Sequence, residues 1–199
     1  TLYGDAASMV GYAHGGNDTL EGGAGKDTLY GDAKTMSDNT QGGNDWLIGG
    51  DGNDKLYGDA AKLSGDAIGG DDFLNGGAGN DIMWGDGALS GHAQGGADTF
   101  YFDMSHSTGK DIIKDFRTSD GDTLALDNLL THGEITVQDI VDQYSQSTVT
   151  DNGHNVTINF HNNGANSDTI TLEGIGNGHI NSWQSLADHI NLTVNGQLV

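Results

Sequence analysis

Aspartate closes a glycine-rich turn at regular intervals in the first half of the chain. The pattern Gly-Gly-x-Gly-x-Asp-x-apolar-x is complete at residues 22–30, 49–57 and 76–84. Each Asp supplies a carboxylate, and the turn glycines leave backbone carbonyls unobstructed. Ca2+ takes six to eight oxygen ligands at about 2.3–2.6 Å in a tolerant geometry. The pattern therefore predicts calcium binding at these turns.

The amino-acid composition indicates which kinds of ligand the chain can bind. The 199 residues include 29 Asp and Glu against 7 Lys and Arg, a formal net charge of -22, so we expect no nucleic acid ligand. With no Cys and no clustered His, Zn2+ fits poorly, and Mg2+ demands a smaller, stricter octahedron. No stretch approaches about 18 apolar residues, so we expect no membrane insertion.

The turns belong to a longer repeat of 27 residues. Leu-Tyr-Gly-Asp-Ala starts at residues 2, 29 and 56, and a Gly-Gly-x-Asp turn ends at residues 18, 45, 72 and, one residue early, 98. Each repeat supplies two short strands, and each strand has one inward apolar side chain. These are Leu20, Leu47, Leu74 and Phe100 on one sheet, and Leu2, Leu29, Leu56 and Met83 on the other. We expect Met36 and Leu63, in the longer loops, to point inward as well.

Stacked coils would align the Asp residues in columns about 4.8 Å apart. Two carboxylates at that spacing repel by roughly 1 kcal/mol in water and by several at lower effective dielectric. A hard cation between coils reverses the sign of that interaction. Metal-free columns are therefore predicted to be unfavourable.

These motifs resemble the RTX (repeats-in-toxin) nonapeptide family of secreted calcium-binding proteins. The resemblance implies an all-β, right-handed parallel β-roll with Ca2+ along both edges, about five ions or more. The implied carboxylate ligands are Asp18, Asp45, Asp72 and Asp98 on one edge and Asp27, Asp54 and Asp81 on the other, with Asp32, Asp59 and Asp86 as second-rank candidates. The turn glycines expected to contribute carbonyls are Gly16, Gly23, Gly25, Gly43, Gly50, Gly52, Gly70, Gly77 and Gly79.

The composition changes near residue 102, since 25 of the 34 glycines precede it. We predict a roll of about 3.5 coils over residues 1–102 and a β-rich capping domain over residues 103–199. Residues 149–160 are predicted to form a hairpin and residues 168–172 a strand. A short helix is expected to start at Asn181 or Ser182 and to pack through Trp183 and Leu186. In the family the C-terminal residues also carry the type I secretion signal.

The pattern favours a calcium-dependent module over an enzyme. We expect residues 1–102 to be unfolded without Ca2+ and to fold when it binds, which would serve secretion, folding and stabilisation of a larger extracellular or cell-surface protein. Because Leu2 matches an internal strand position, the chain is expected to be a fragment. Dispersed histidines, among them His161, are expected to be solvated rather than catalytic. The alternative function is carbohydrate binding through Trp46, Phe73 and Trp84, as the accessory module of an adhesin or a polysaccharide-active protein.

Overall fold

The structure, a computed structural model, describes residues 1–129, 136–143, 146–160 and 168–199. Up to residue 103 the strands are β1 (Leu2–Tyr3), β2 (Thr19–Gly25), β3 (Thr28–Tyr30), β4 (Ala33–Met36), β5 (Trp46–Gly52), β6 (Lys55–Tyr57), β7 (Ala60–Leu63), β8 (Phe73–Ala78), β9 (Ile82–Trp84), β10 (Ala88–Leu89) and β11 (Thr99–Asp103). Then follow β12 (Lys110–Ile113), β13 (Thr123–Asp127), α1 (Val137–Gln143), β14 (Thr148–Asp151), β15 (Val156–Phe160), β16 (Asp168–Leu172), α2 (Trp183–Ala187), β17 (Asn191–Val194) and β18 (Gln197–Leu198).

Two large sheets form a parallel β-solenoid of about five turns, which confirms the predicted fold class. In one sheet β1, β3, β6, β9, β12 and β16 run parallel, and β15 and β14 add an antiparallel end. In the other β2, β5, β8, β11, β13 and β17 run parallel, and β18 closes it antiparallel. Both sheets therefore continue past residue 102 without a break. A division into two domains at that residue stays a prediction.

The register places each inward apolar residue beside its counterpart in the next coil. Leu20 pairs with Leu47, and Leu47 with Leu74, so that one column of side chains fills the space between the sheets. Leu29, Leu56 and Met83 form the facing column and are fully buried. Leu2 lies on the edge strand β1 and is 37% exposed. Apart from Leu2, the inward positions predicted from the repeat are thus core positions of the solenoid.

A third sheet lies in the long loops. Here β4, β7 and β10 pair in parallel, and they carry the fully buried Met36 and Leu63. These side chains point inward, as predicted, but they pack in a small cluster of their own with Met9, Ala33 and Ala60. The long loops thereby gain the same stacking between coils as the main sheets.

The C-terminal half contains the predicted hairpin and strand and one unpredicted helix. β14 and β15 pair antiparallel around residues 152–155, and β16 pairs with β15. Ser182 caps α2 through a capping box with Ser185, and Trp183 is buried. The unpredicted helix α1 buries Ile140 in the main core. His161 lies outside the described residues, and no helix within the described ranges is long and apolar enough to span a membrane.

Candidate metal centre

One edge of the solenoid carries a column of Asp residues at the short turns. The N–H of Asp27 donates to Oδ1 of Asp54 at 2.8 Å, and the N–H of Asp54 donates to Oδ1 of Asp81 at 2.8 Å. Each bond links one coil to the next at the same position. The Oδ2 atoms of Asp54 and Asp81 are buried and have no hydrogen-bond partner. In each of these two carboxylates Oδ1 accepts a hydrogen bond, and Oδ2 is available to a ligand.

A glycine carbonyl lies beside one of these unpaired oxygens. A methyl group added at Gly49 would stand 2.6 Å from Oδ2 of Asp54 and would also clash with the carbonyl oxygen of Gly76. The two oxygens therefore border the same small space, which exists only because residue 49 has no side chain. Carboxylate and carbonyl oxygens are the ligand types that Ca2+ prefers.

The opposite edge has an equivalent column at the ends of the long loops. The N–H of Asp18 donates to Asp45 at 2.7 Å, that of Asp45 to Asp72 at 2.8 Å and that of Asp72 to Asp98 at 3.0 Å. The Oδ2 atoms of Asp45, Asp72 and Asp98 are buried and unpaired. A methyl group at Gly31 would clash with both Oδ2 of Asp45 and the carbonyl oxygen of Gly58. The donor set thus repeats that of the first edge.

A third column runs along the long-loop edge and contains the second-rank candidates. Oδ1 of Asp32 accepts the N–H of Gly43 at 3.0 Å, and Oδ1 of Asp59 accepts that of Gly70 at 2.7 Å. Both Asp side chains are fully buried with Oδ2 unpaired. The charge of Asp45 helps to raise the pKa of Asp32, so the two columns are close in space. This edge carries two acidic columns, whereas the short-turn edge carries one.

Burial raises the pKa of several buried carboxyl groups in these columns above that of a free aspartate. The pKa is about 8 for Asp32, about 7 for Asp45 and about 6 for Asp81, and loss of hydration is the largest cause in each case. For Asp72 the pKa is raised well above its ordinary value, first by burial and further by the charges of neighbouring Asp residues. Such groups require either a proton or a cation.

The predicted turn glycines occupy the turns, but their role as ligands stays a prediction. Gly50 and Gly52 have positive φ angles of 100° and 144°, which only glycine adopts without strain. The carbonyls of Gly58, Gly76 and Gly85 lie beside unpaired carboxylate oxygens, and none of these three glycines is among the predicted positions.

Three Asp residues that the repeat pattern does not predict extend the columns beyond the repeats. Asp111 accepts the N–H of Asp81 at 2.9 Å, Asp122 accepts that of Asp98 at 3.1 Å, and Asp168 accepts that of Gly109 at 3.2 Å. Each missed residue starts an Asp-x-apolar triplet, as in the repeats. That triplet was the available signal, but the Gly-Gly pair that precedes it in the repeats is absent, and only single glycines, Gly109 and Gly121, remain before Asp111 and Asp122.

Within the described part of the chain, no three His, Cys, Asp or Glu side chains converge as a metal-binding group. The arrangement is instead a series of carboxylates supplemented by backbone oxygens. It suits a large, oxygen-preferring cation and lacks the nitrogen and sulfur ligands that favour Zn2+.

Comparison with known families decides the nature of these repeats. The pattern that describes the RTX calcium-binding nonapeptide repeat, in four copies, matches residues 12–33, 39–61 and 68–88. The chain carries RTX calcium-binding repeats. The matched ranges include candidate ligands from all three Asp columns, and RTX repeats bind Ca2+ in general.

Solved structures include chains that are similar to this one. No curated protein matches significantly. Among solved structures, a subunit of the Azotobacter vinelandii mannuronan C5-epimerase, determined in solution, is similar at 24% identity and a TM-score of 0.41. The match covers 85% of this chain and 79% of that one.

Proposed function

We propose that this chain is a calcium-dependent folding module that serves the secretion and stabilisation of a larger extracellular protein. One observation carries the proposal. Among the residues that the structure describes, nine buried Asp side chains each retain an Oδ2 atom without a hydrogen-bond partner: Asp32, Asp45, Asp54, Asp59, Asp72, Asp81, Asp98, Asp111 and Asp168.

Buried, unpaired carboxylate oxygens destabilise the fold unless a cation binds them. Removing a charged group from water without compensation costs several kcal/mol, and neighbouring carboxylates add repulsion. Ca2+ placed between coils supplies the missing partner for the Oδ2 atoms, and nearby carbonyls such as that of Gly76 complete its oxygen shell. The oxygens that border each site, such as Asp54 Oδ2 and the Gly76 carbonyl, come from different coils. The site therefore exists only in the folded chain. Calcium binding and folding are therefore coupled.

This coupling suits export by type I secretion machinery. Where free Ca2+ is scarce, the acidic chain without Pro stays extended and can pass a narrow channel. Outside the cell, abundant Ca2+ fills the columns and drives folding. By family resemblance, residues 103–199 would carry the export signal. The RTX repeats are non-catalytic in themselves.

Asp54→Asn tests the proposal directly. The full chain is stripped of metal and titrated with Ca2+, while circular dichroism reports folding and equilibrium dialysis counts bound ions. We expect the unmodified chain to gain β structure cooperatively, and we expect Asp54→Asn to bind fewer ions and to fold at higher Ca2+. Asp51→Asn is the matched control, since it removes the same charge from an exposed position of the same turn.

Two results would count against calcium-dependent folding. The first is a β signature that is unchanged after metal removal at neutral pH. The second is an equal effect of Asp54→Asn and Asp51→Asn on ion number. Export is a separate question, and it is tested by asking whether cells with type I machinery release the chain.

Carbohydrate binding is a second candidate, supported by an exposed aromatic stack on the second sheet. The ring of Trp46 is stacked 4.4 Å from that of Phe73, which lies 5.2 Å from Tyr101, and Trp46 is 54% exposed. Stacked rings also stabilise neighbouring strands without any ligand. Loss of glycan binding in Trp46→Ala, with calcium binding retained, would support this function. Tyr12→Ala is the control, because Tyr12 is exposed but lies outside the aromatic stack, and this variant should bind glycan normally.

A further inference from the structure

Two buried Asp residues, Asp111 and Asp168, lie outside the matched repeats on neighbouring strands. Asp111 lies in β12 and Asp168 begins β16, the next parallel strand of the same sheet. Each is only 1% exposed. The chain between them is long, since Gly109 and Asp168 are 59 residues apart in sequence. Burial of two carboxylates on neighbouring strands requires a compensating charge.

One oxygen of each carboxylate is held by the protein. Oδ1 of Asp111 accepts the N–H of Asp81 at 2.9 Å. Oδ1 of Asp168 accepts the hydroxyl of Ser107 at 2.6 Å and the N–H of Gly109 at 3.2 Å. These bonds fix the carboxylate orientations. In both residues the buried Oδ2 atom is left without a partner.

A third unpaired oxygen comes from Thr108. This residue is 5% exposed, and its Oγ1 is buried without a hydrogen-bond partner. Its carbonyl accepts the N–H of Gly79 at 2.9 Å, which anchors the loop to the last complete repeat. Burial raises the pKa of Asp111 to about 8. Ser107 and Gly109, which flank Thr108 in sequence, both donate to Asp168, and the strand that carries Asp111 pairs with β16, so the three residues are close neighbours.

All three unpaired atoms are oxygens, a donor set that suits a hard cation. We propose that Thr108, Asp111 and Asp168 form a calcium site outside the repeats, and that the bound ion ties β16 to the end of the repeat solenoid. This inference rests on the calcium binding proposed above. It extends calcium dependence into the C-terminal half, because one ion would join two segments that are distant in sequence.

The test counts calcium ions in the full, metal-stripped chain by equilibrium dialysis at saturating Ca2+. We expect Asp168→Asn to bind one ion fewer than the unmodified chain. Thr108→Val, which keeps the charge and the shape, should weaken one site about tenfold. Asp103→Asn is the control, because this partly exposed carboxylate already accepts hydrogen bonds from Ser105 and Asn128. We expect Asp103→Asn to leave the ion number unchanged.

The outcomes distinguish failure of this site alone from failure of the proposed calcium-dependent folding. If Asp168→Asn keeps every ion while Asp54→Asn loses one, the site is rejected although the repeats still bind calcium. If neither variant loses an ion, both proposals fail. Should Asp168→Asn not fold, Thr108→Val decides the matter, since an unchanged set of affinities in that variant overturns the site.

Discussion

The guanidinium of Arg117 donates a 2.6 Å hydrogen bond to Oδ2 of Asp86, the last member of the third Asp column. The equivalent Oδ2 atoms of Asp32 and Asp59 are unpaired. Burial raises the pKa of Asp86 to about 6, and the charge of Arg117 lowers it. By comparison, burial raises the pKa of Asp59 well above its ordinary value. A side chain from outside the repeats thus supplies the cation at this end of the column.

Arg117→Gln should lower the free energy of unfolding by about 1–3 kcal/mol in saturating Ca2+, because it leaves a buried carboxylate without its charged partner. Urea unfolding measures the effect. Lys114→Gln is the matched control: Lys114 pairs with Glu173 at 2.7 Å, and its side chain is 29% exposed, as is that of Arg117. Since Glu173 is partly solvated, the control should lose no more than about 1 kcal/mol. Equal small losses in both variants would contradict a special role for Arg117.

Gly49→Ala should remove one calcium site. The added methyl group would occupy the space bordered by Asp54 Oδ2 and the Gly76 carbonyl. Gly16→Ala serves as the comparison, since it keeps the backbone carbonyl and its added methyl group would lie 3.8 Å from the nearest neighbouring atoms. Equilibrium dialysis should show fewer bound ions for Gly49→Ala and an unchanged number for Gly16→Ala. Full ion binding by Gly49→Ala would show that this space is not a ligand site.

Acidic pH should stabilise the metal-free fold. The folded pKa is about 8 for Asp32 and about 7 for Asp122, chiefly through burial, against about 3.9 in an unfolded chain. The folded chain therefore holds these protons more tightly. This contribution is fully present below about pH 4 and is lost as pH rises through about 7 to 8.

Circular dichroism of metal-stripped protein, with residual calcium assayed, measures this pH dependence. We expect more β structure at pH 5 than at pH 8 without metal. In excess Ca2+ the trend should reverse, because the metal binds the deprotonated carboxylates. Greater order at pH 8 than at pH 5 in the stripped protein would contradict the raised pKa values.

Leu47→Ala should destabilise the calcium-loaded fold by about 2–5 kcal/mol, because this fully buried side chain packs between Leu20 and Leu74 in the core. Leu2→Ala changes the same residue type at a 37% exposed position of an edge strand and should cost much less. Urea unfolding in saturating Ca2+ compares the two. Similar losses would mean that the core column does not dominate stability.

The repeat itself determines most of the roll. Because glycine turns, Asp residues and inward leucines recur every 27 residues, identical coils stack in register, and the N–H of Asp54 meets Asp81 one period later. Local periodicity is therefore enough to predict the Asp columns and the main core. It also predicts that Met36 and Leu63 are buried, although their separate cluster and third sheet depend on contacts between long loops.

Tertiary structure alone decides where the columns end. The steps from Asp81 to Asp111 and from Asp98 to Asp122 span 30 and 24 residues, so no fixed period reveals them. Strand pairing sets those positions, and it brings Asp168 to the short-turn edge from a distant part of the chain. The Arg117 contact likewise depends on how the chain leaves β12. Sequence thus determines the repeating coil and its preference for calcium, whereas pairing between non-repeating segments decides how the acidic columns are completed.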